Sequence, residues 1–391
     1  MSFKPPLFAM LIAMAAAAAP PLARAVELIE MVRSLNRYQL RGVLGDETAY
    51  RESLNELSRI EAAIPLTPSE ETKQEKSLRA IATYLLCGGS PAAVRQLFVD
   101  GVLDESGAPI VAGALAYAEG RTSEASRLLE PINATGLPVT LAGHLSLVQG
   151  GILLRVDKRR AIERFDLARL LMPGSLVEEA ALRRELLAID VAADVQRYLL
   201  LARRYAGNYA RSPFARDFVD TIHRATVRNA LTLPPDALDQ FEGFLAAAGN
   251  EAALNWRFAL MRAAVLNKRP DLAAGWFAKA EKLARSPGAK SRLALYGAAI
   301  KAETGAAEEG LELLRNVPAA GLSDEEIQIR DILGAVLARK RRAPEATSPP
   351  ASAPAPSVAT PQTKPNESPI VSAIRESLAN TDALLKRRGR R

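Results

Sequence analysis

Five ionisable side chains, Glu178, Glu179, Arg183, Arg184 and Glu185, fall within eight residues of the stretch FDLARLLMPGSLVEEAALRREL (Phe165–Leu186). Carboxylates beside guanidinium groups could serve general acid–base catalysis or form a charged docking face. Catalysis needs the groups to converge, and adjacent Glu178 and Glu179 project about 100° apart on a helix. Glu179 and Arg183, four residues apart in the favourable order, instead form an i,i+4 pair worth about 0.3–0.5 kcal/mol when exposed. Val177, Ala180, Ala181 and Leu187 supply a core-facing side. The residues therefore read as the solvated face of a structural helix. Glu178, Glu179, Arg183 and Arg184 are its candidate contacts with a protein partner.

Other chemistry-bearing residues are sparse. His144 and His223 are the two histidines, and neither has a second His, a Cys or an acid at metal-ligand spacing, whereas a zinc site needs three or four ligands. His144, in LAGHLSL, is expected in a hydrogen-bonded packing role on an apolar helix. His223 follows Asp220 by one turn, with no nucleophile in a recognisable setting. The single cysteine, Cys87, ends an apolar run before Gly88-Gly89, which predicts a buried structural thiol, and one cysteine excludes an intramolecular disulfide framework. No Gly-x-Ser-x-Gly elbow, phosphate-cradling glycine loop or dinucleotide fingerprint occurs. The expectation is a chain without catalytic, metal-ligating or cofactor-binding residues.

The elements that carry these residues are short amphipathic helices from Val26 to about Arg342, separated by turn signals. Thr67-Pro68-Ser69-Glu70, Ser175-Leu-Val-Glu178 and Ser323-Asp-Glu-Glu326 are expected helix starts, in which a hydroxyl and a glutamate satisfy free first-turn N–H groups. Gly88-Gly89, Gly120, Gly207 and Gly305 are expected stops. Ala161, Phe165, Ala168 and Pro173 lie at offsets of four, three and five; Ala273, Phe277 and Ala280 repeat the first two, and Ala307 with Leu311 the first. Gly113 and Ala125, with Leu129 following, belong to the same pattern. Such offsets match the second helix of a tetratricopeptide repeat, where small residues let two helices approach and an aromatic fills the gap. Equivalent positions recur after 36 residues (Ala125 to Ala161) and 34 (Ala273 to Ala307). The predicted fold is all-α, a TPR-like α-solenoid of helical hairpins over residues 26–342.

The two ends differ in kind. Lys4, the apolar stretch Leu7–Ala19 and Ala23-Arg24-Ala25 form a secretory signal peptide over residues 1–25, with cleavage between Ala25 and Val26. No later segment is apolar enough to span a membrane, and the expected destination is a bacterial periplasm. Residues 343–367 hold seven prolines among Ala, Ser and Thr, which predicts a disordered, extended linker reaching about 75 Å. Residues 368–391 read as a small basic amphipathic helix: Ser368-Pro369 start it, Ile370, Ile374, Leu378 and Leu385 share a face, and Lys386–Arg391 end it. Ile374, Leu378 and Leu385 are its candidate partner contacts. Of the net charge of +7, residues 1–25 carry +2, Arg339–Arg342 +4 and residues 343–391 +3, leaving residues 26–338 at −2. A nucleic-acid-binding domain would carry its positive charge on the fold itself, so nucleic acid is not an expected partner.

Several blocks give the chain a resemblance to the MotC family of periplasmic motility proteins of rhizobial-type bacteria. They are GDETAYRESLNELSRI, GALAYAEGRTSEASRLLEPI, LPVTLAGHLSLVQG and ARLLMPGSLVEEAALRREL; the resemblance covers roughly residues 26–215, and the rest of the chain, including the signal peptide, by architecture. None is a catalytic motif. The resemblance implies a non-enzymatic accessory of the flagellar motor, needed for rotation and binding the periplasmic part of the stator protein MotB. A generic periplasmic scaffold of an envelope or secretion complex is the alternative, and self-association stays open. A third reading, a lytic transglycosylase, rests on the Glu-Ser dipeptides Glu52-Ser53 and Glu376-Ser377. It lacks that family's Gly-Leu-Met-Gln motif and an apolar setting that would raise a glutamate's pKa.

Overall fold

A computed structural model describes residues 21–319 and 321–342. The expected linker (343–367), the tail with Ile374, Leu378 and Leu385, and residues 1–20 lie outside the described residues. All regular structure among the described residues is helical. The chain forms two compact units, one comprising residues up to Asp190 with Gln196–Phe218, the other Val191–Val195 and the residues from Val219 on.

The first unit contains α1 (Pro21–Val43), α2 (Glu47–Ala63), α3 (Ser69–Thr72), α4 (Glu75–Leu86), α5 (Ala92–Val99), α6 (Pro109–Ala118), α7 (Thr122–Leu129), α8 (Val139–Leu153), α9 (Lys158–Leu171), α10 (Leu176–Ala188) and α11 (Val195–Tyr209). Then α12 (Ala215–Arg228) leads into the second unit, with α13 (Pro235–Ala247), α14 (Asn250–Leu266), α15 (Pro270–Glu281), α16 (Pro287–Glu303), α17 (Ala307–Arg315) and α18 (Asp324–Arg342). Neighbours in sequence pack as hairpins: α1 with α2, α6 with α7, α8 with α9, α14 with α15, α16 with α17. Helix α1 runs through the expected Ala25–Val26 junction. Leu28 is the most N-terminal core residue described.

The recurring small-residue spacing has a direct physical cause. Ala161, Phe165 and Ala168 of α9 are fully buried, and a Cβ added to Gly150 of α8 would meet the Phe165 ring at 2.6 Å. In the preceding hairpin a Cβ on Gly113 would lie 2.5 Å from Leu129, and in the second unit one on Gly297 would lie 3.0 Å from Phe277. In each of these adjacent helix pairs (α8–α9, α6–α7 and α15–α16) a glycine on one helix admits the large side chain of its neighbour, which lets the backbones approach.

Most boundary signals act as expected, with three corrections. Ser323 accepts from Glu326 N–H at 3.2 Å while the Glu326 carboxylate accepts from Ser323 N–H at 3.1 Å, a complete capping box. Gly88, Gly120 and Gly305 close helices at positive φ (95°, 75° and 89°), backbone that a β-carbon disfavours. Gly207, expected as a stop, lies inside α11: it is on the exposed face, and buried Tyr205 and Tyr209 carry the helix past it. Thr67, expected as a cap, turns its hydroxyl back to donate to Ala63 O of the previous helix at 3.2 Å, and α3 starts without a side-chain cap. Leu187, expected in the core, is 50% exposed, because Leu182, Leu186 and the acids of α10 take the inward positions.

Candidate functional site

Helix α10 begins where Ser175 accepts from Glu178 N–H at 3.3 Å, after the positive-φ turn at Gly174. The side chain of Glu178 reaches one residue further back than in a capping box and accepts from Gly174 N–H at 2.6 Å. That return pulls its carboxylate inward. Glu178, Glu179 and Glu185 are fully buried, which corrects the expectation of a solvated face.

Each acid is held by groups from another helix or the next turn. Glu178 accepts from the Tyr209 hydroxyl at 2.7 Å and pairs with Arg204. Glu179 accepts from Arg183 Nε at 2.8 Å and Nη2 at 3.1 Å, and from the Tyr205 hydroxyl at 2.6 Å. Arg183 continues to Asp217 at 3.1 Å and lies over the Phe214 ring at 4.9 Å. Glu185 accepts from Arg197 Nη2 at 2.7 Å, and Arg197 also donates to Asp166 at 2.7 Å. Arg169 Nε stands 3.0 Å from the other Glu185 oxygen as an ion pair without hydrogen-bond alignment. Tyr205 and Tyr209, one helical turn apart on α11, thus meet the two adjacent glutamates of α10 that diverge from each other. Arg184 is half-buried and points its guanidinium toward Gly151 at the end of α8.

The electrostatics follow from this arrangement. Burial alone would push Glu178 up, but Arg204, the Gly174 N–H and the Tyr209 hydroxyl together hold it below the usual carboxylate range. At Glu185 burial wins: its pKa is raised despite Arg169 and Arg197, with Asp166 adding to the rise. Burial and the neighbouring glutamates push both tyrosines up, so they remain protonated donors. The cluster fastens α10 to α9 and α11, and each of its three acids is paired with an arginine of the fold.

A second grouping had no sequence signal, because its members are 57 and 108 residues apart. His144 Nε2 of α8 lies 3.2 Å from the Cys87 sulfur at the end of α4 and 3.3 Å from Asn36 Oδ1 of α1. The Asn36 amide donates to Val32 O at 2.8 Å, which leaves Oδ1 facing the imidazole as an acceptor. Cysteine, histidine and asparagine together suit nucleophilic catalysis only if the thiol ionises. Burial opposes that on both sides, pushing the Cys87 thiol up and the His144 imidazole down to about 4. Both groups also meet the same ring nitrogen, so the asparagine does not orient the ring from its far side as a triad member would. The grouping is a neutral polar contact joining three helices, the packing role expected of His144.

His223 lies in a groove of the second unit, where burial lowers its pKa against the opposing pull of Asp220. On α2 the Ser53 hydroxyl of the Glu52-Ser53 dipeptide donates to Tyr50 O at 2.7 Å. Among the described residues no three His, Cys, Asp or Glu side chains gather as a metal site requires, and no helix is long and apolar enough to cross a membrane.

Tyr205, Tyr209, Arg204 and Arg197 are the members of the α10 cluster that sequence reasoning missed. The signal available was the pair of tyrosines four apart beside arginines in RYLLLARRYAGNY (Arg197–Tyr209).

Comparison with known proteins agrees with the blocks that the cluster belongs to. A family profile described as chemotaxis protein MotC matches residues 3–390. A protein named chemotaxis protein MotC from Rhizobium meliloti (strain 1021) is 26% identical over 330 residues, covering 84% of this chain and 75% of that relative. None of the solved structures matches. With the profile spanning nearly its whole length, the chain belongs to the MotC family of motility-associated chemotaxis proteins.

Proposed function

We propose that this chain is a non-enzymatic, periplasmic accessory of the flagellar motor, and that it acts by binding the periplasmic part of the stator protein MotB. The observation that carries this reading is that the acids of the α10 cluster are paired within the fold. Every carboxylate the sequence offered there for acid–base work is withdrawn from water and held by a guanidinium or a tyrosine hydroxyl. What such a fold offers to the outside is helical surface. Family membership supports a role in motility, and Lys4, Leu7–Ala19 and Ala23-Arg24-Ala25 support export to the periplasm. Ion flux requires ionisable groups inside a membrane, and no described helix is long and apolar enough to hold them there. In this reading torque generation stays with the stator.

Deletion of the gene tests the role. The expected phenotype is loss of swimming with filaments still assembled, and in vivo crosslinking is expected to recover the stator protein with this chain. Loss of the filaments, or crosslinked complexes from which the stator protein is missing, would replace this reading with that of a general envelope scaffold.

A further inference from the structure

In the second unit a groove of about 640 Å³ follows one stripe of α14. Asn255, Ala259, Ala263 and Leu266 face it at helical spacing, a run that rises about 18 Å from Asn255 to Asn267. The two alanines at the centre leave room for a helix axis to come within the 8–10 Å typical of packed helices. The charges on the rim are already matched. Arg262 makes a two-pronged pair with Glu325, while Arg292 donates to Glu326 and to Asn255 Oδ1, each at 2.7 Å, and lies over the Phe258 ring at 4.2 Å. An apolar floor between neutralised walls suits an amphipathic helix better than a free ion.

We propose that residues 368–391 of this same chain occupy the groove as a helix. Ile370, Ile374 and Leu378 repeat every four residues over a rise of about 12 Å, which fits within the stripe. The connecting chain is long enough for the distance to be covered. The first turn of α18 lines the groove, and the 19 residues of α18 carry the chain about 28 Å away to Arg342. With its seven prolines, a connecting segment of the length of 343–367 reaches about 75 Å when extended, well beyond that distance. A tether that can span the two sites makes docking intramolecular, which raises the tail's effective concentration at the groove. Charge agrees as well: Lys386–Arg391 brings five cations toward the acidic first turn of α18, where Asp324 is exposed. The family match runs to residue 390, so groove and tail both lie within it.

Disulfide trapping in the full-length chain tests this. In a Cys87→Ser background, the pair Ala259→Cys and Leu378→Cys is expected to close within one chain at least tenfold faster than the tether control Ala259→Cys with Ser357→Cys. Equal rates would overturn the proposal, and closure between two chains would assign the groove to a second copy instead. Hydrogen exchange on the unsubstituted chain is a measurement that does not depend on those variants folding. Amides of 370–385 are expected to exchange at least tenfold more slowly than an unstructured peptide, with the protection lost in Ala259→Arg. Unprotected amides, or protection that survives Ala259→Arg, would show that the tail lies elsewhere.

Discussion

Glu179 lies between Arg183 and the Tyr205 hydroxyl with its carboxylate shut off from water, so removing it strands a buried phenol and leaves Arg183 to its outer partner Asp217. Breaking a buried pair from one side costs about 3–5 kcal/mol, against at most about 1 kcal/mol for an exposed pair. Glu179→Ala is accordingly expected to lower the unfolding free energy by about 3 kcal/mol in urea titrations, and a loss below about 0.5 kcal/mol would mean the pair is exposed in solution. The i,i+4 pairing was legible in the sequence; its burial was not, because that depends on α11 placing Tyr205 and Tyr209 opposite α10. His144 carries a pH signature. Its folded pKa of about 4 lies below an unfolded value of about 6.5, so acid protonates the unfolded chain first. Stability is therefore expected to fall as pH drops from about 6.5 to 4, by about 3 kcal/mol in all, and His144→Gln is expected to flatten that segment of the stability–pH curve. Glu178, with its lowered pKa, adds a loss that begins below about 4.5, whereas Glu185, raised by burial, gains stability as pH falls through its folded pKa.

At the scale of the element, the unit that repeats is a hairpin closed by a glycine and a large side chain. Gly150→Ala would gain up to about 1 kcal/mol of helix propensity, yet its Cβ would collide with the fully buried Phe165 ring. The collision dominates because overpacking a filled core costs about 1–3 kcal/mol, so a net loss of stability is expected in thermal melts. Phe165→Ala, which empties the same contact, is expected to cost about 3–5 kcal/mol. The four-and-three offsets of Ala161, Phe165 and Ala168 made this hairpin readable, since they report side-chain sizes that only one packing accommodates. Helix ends were less readable. Gly88 and Gly207 are the same residue type after a helical run, but only Gly88 takes the positive φ that ends a helix, and the buried tyrosines that decide the case for Gly207 are tertiary features. Thr67 shows the same ambiguity, because its hydroxyl had a carbonyl of the preceding turn to serve.

For the whole molecule, composition and periodicity sufficed to read an all-helical chain, since Ala-, Leu- and Arg-rich amphipathic segments leave no alternating strand pattern. The Cys87–His144–Asn36 contact was beyond that reading, because long-range neighbours leave no trace in local spacing. The acids that first suggested chemistry are instead what hold three helices together, and the proposed activity lies in the surface those helices present. The most direct measurement is the binding of the purified chain to the purified periplasmic region of MotB, followed by titration calorimetry at moderate salt. The account predicts a saturable one-to-one complex with a dissociation constant of about 10 μM or tighter, about −7 kcal/mol. Absence of heat and of co-migration at 100 μM of each protein would contradict it.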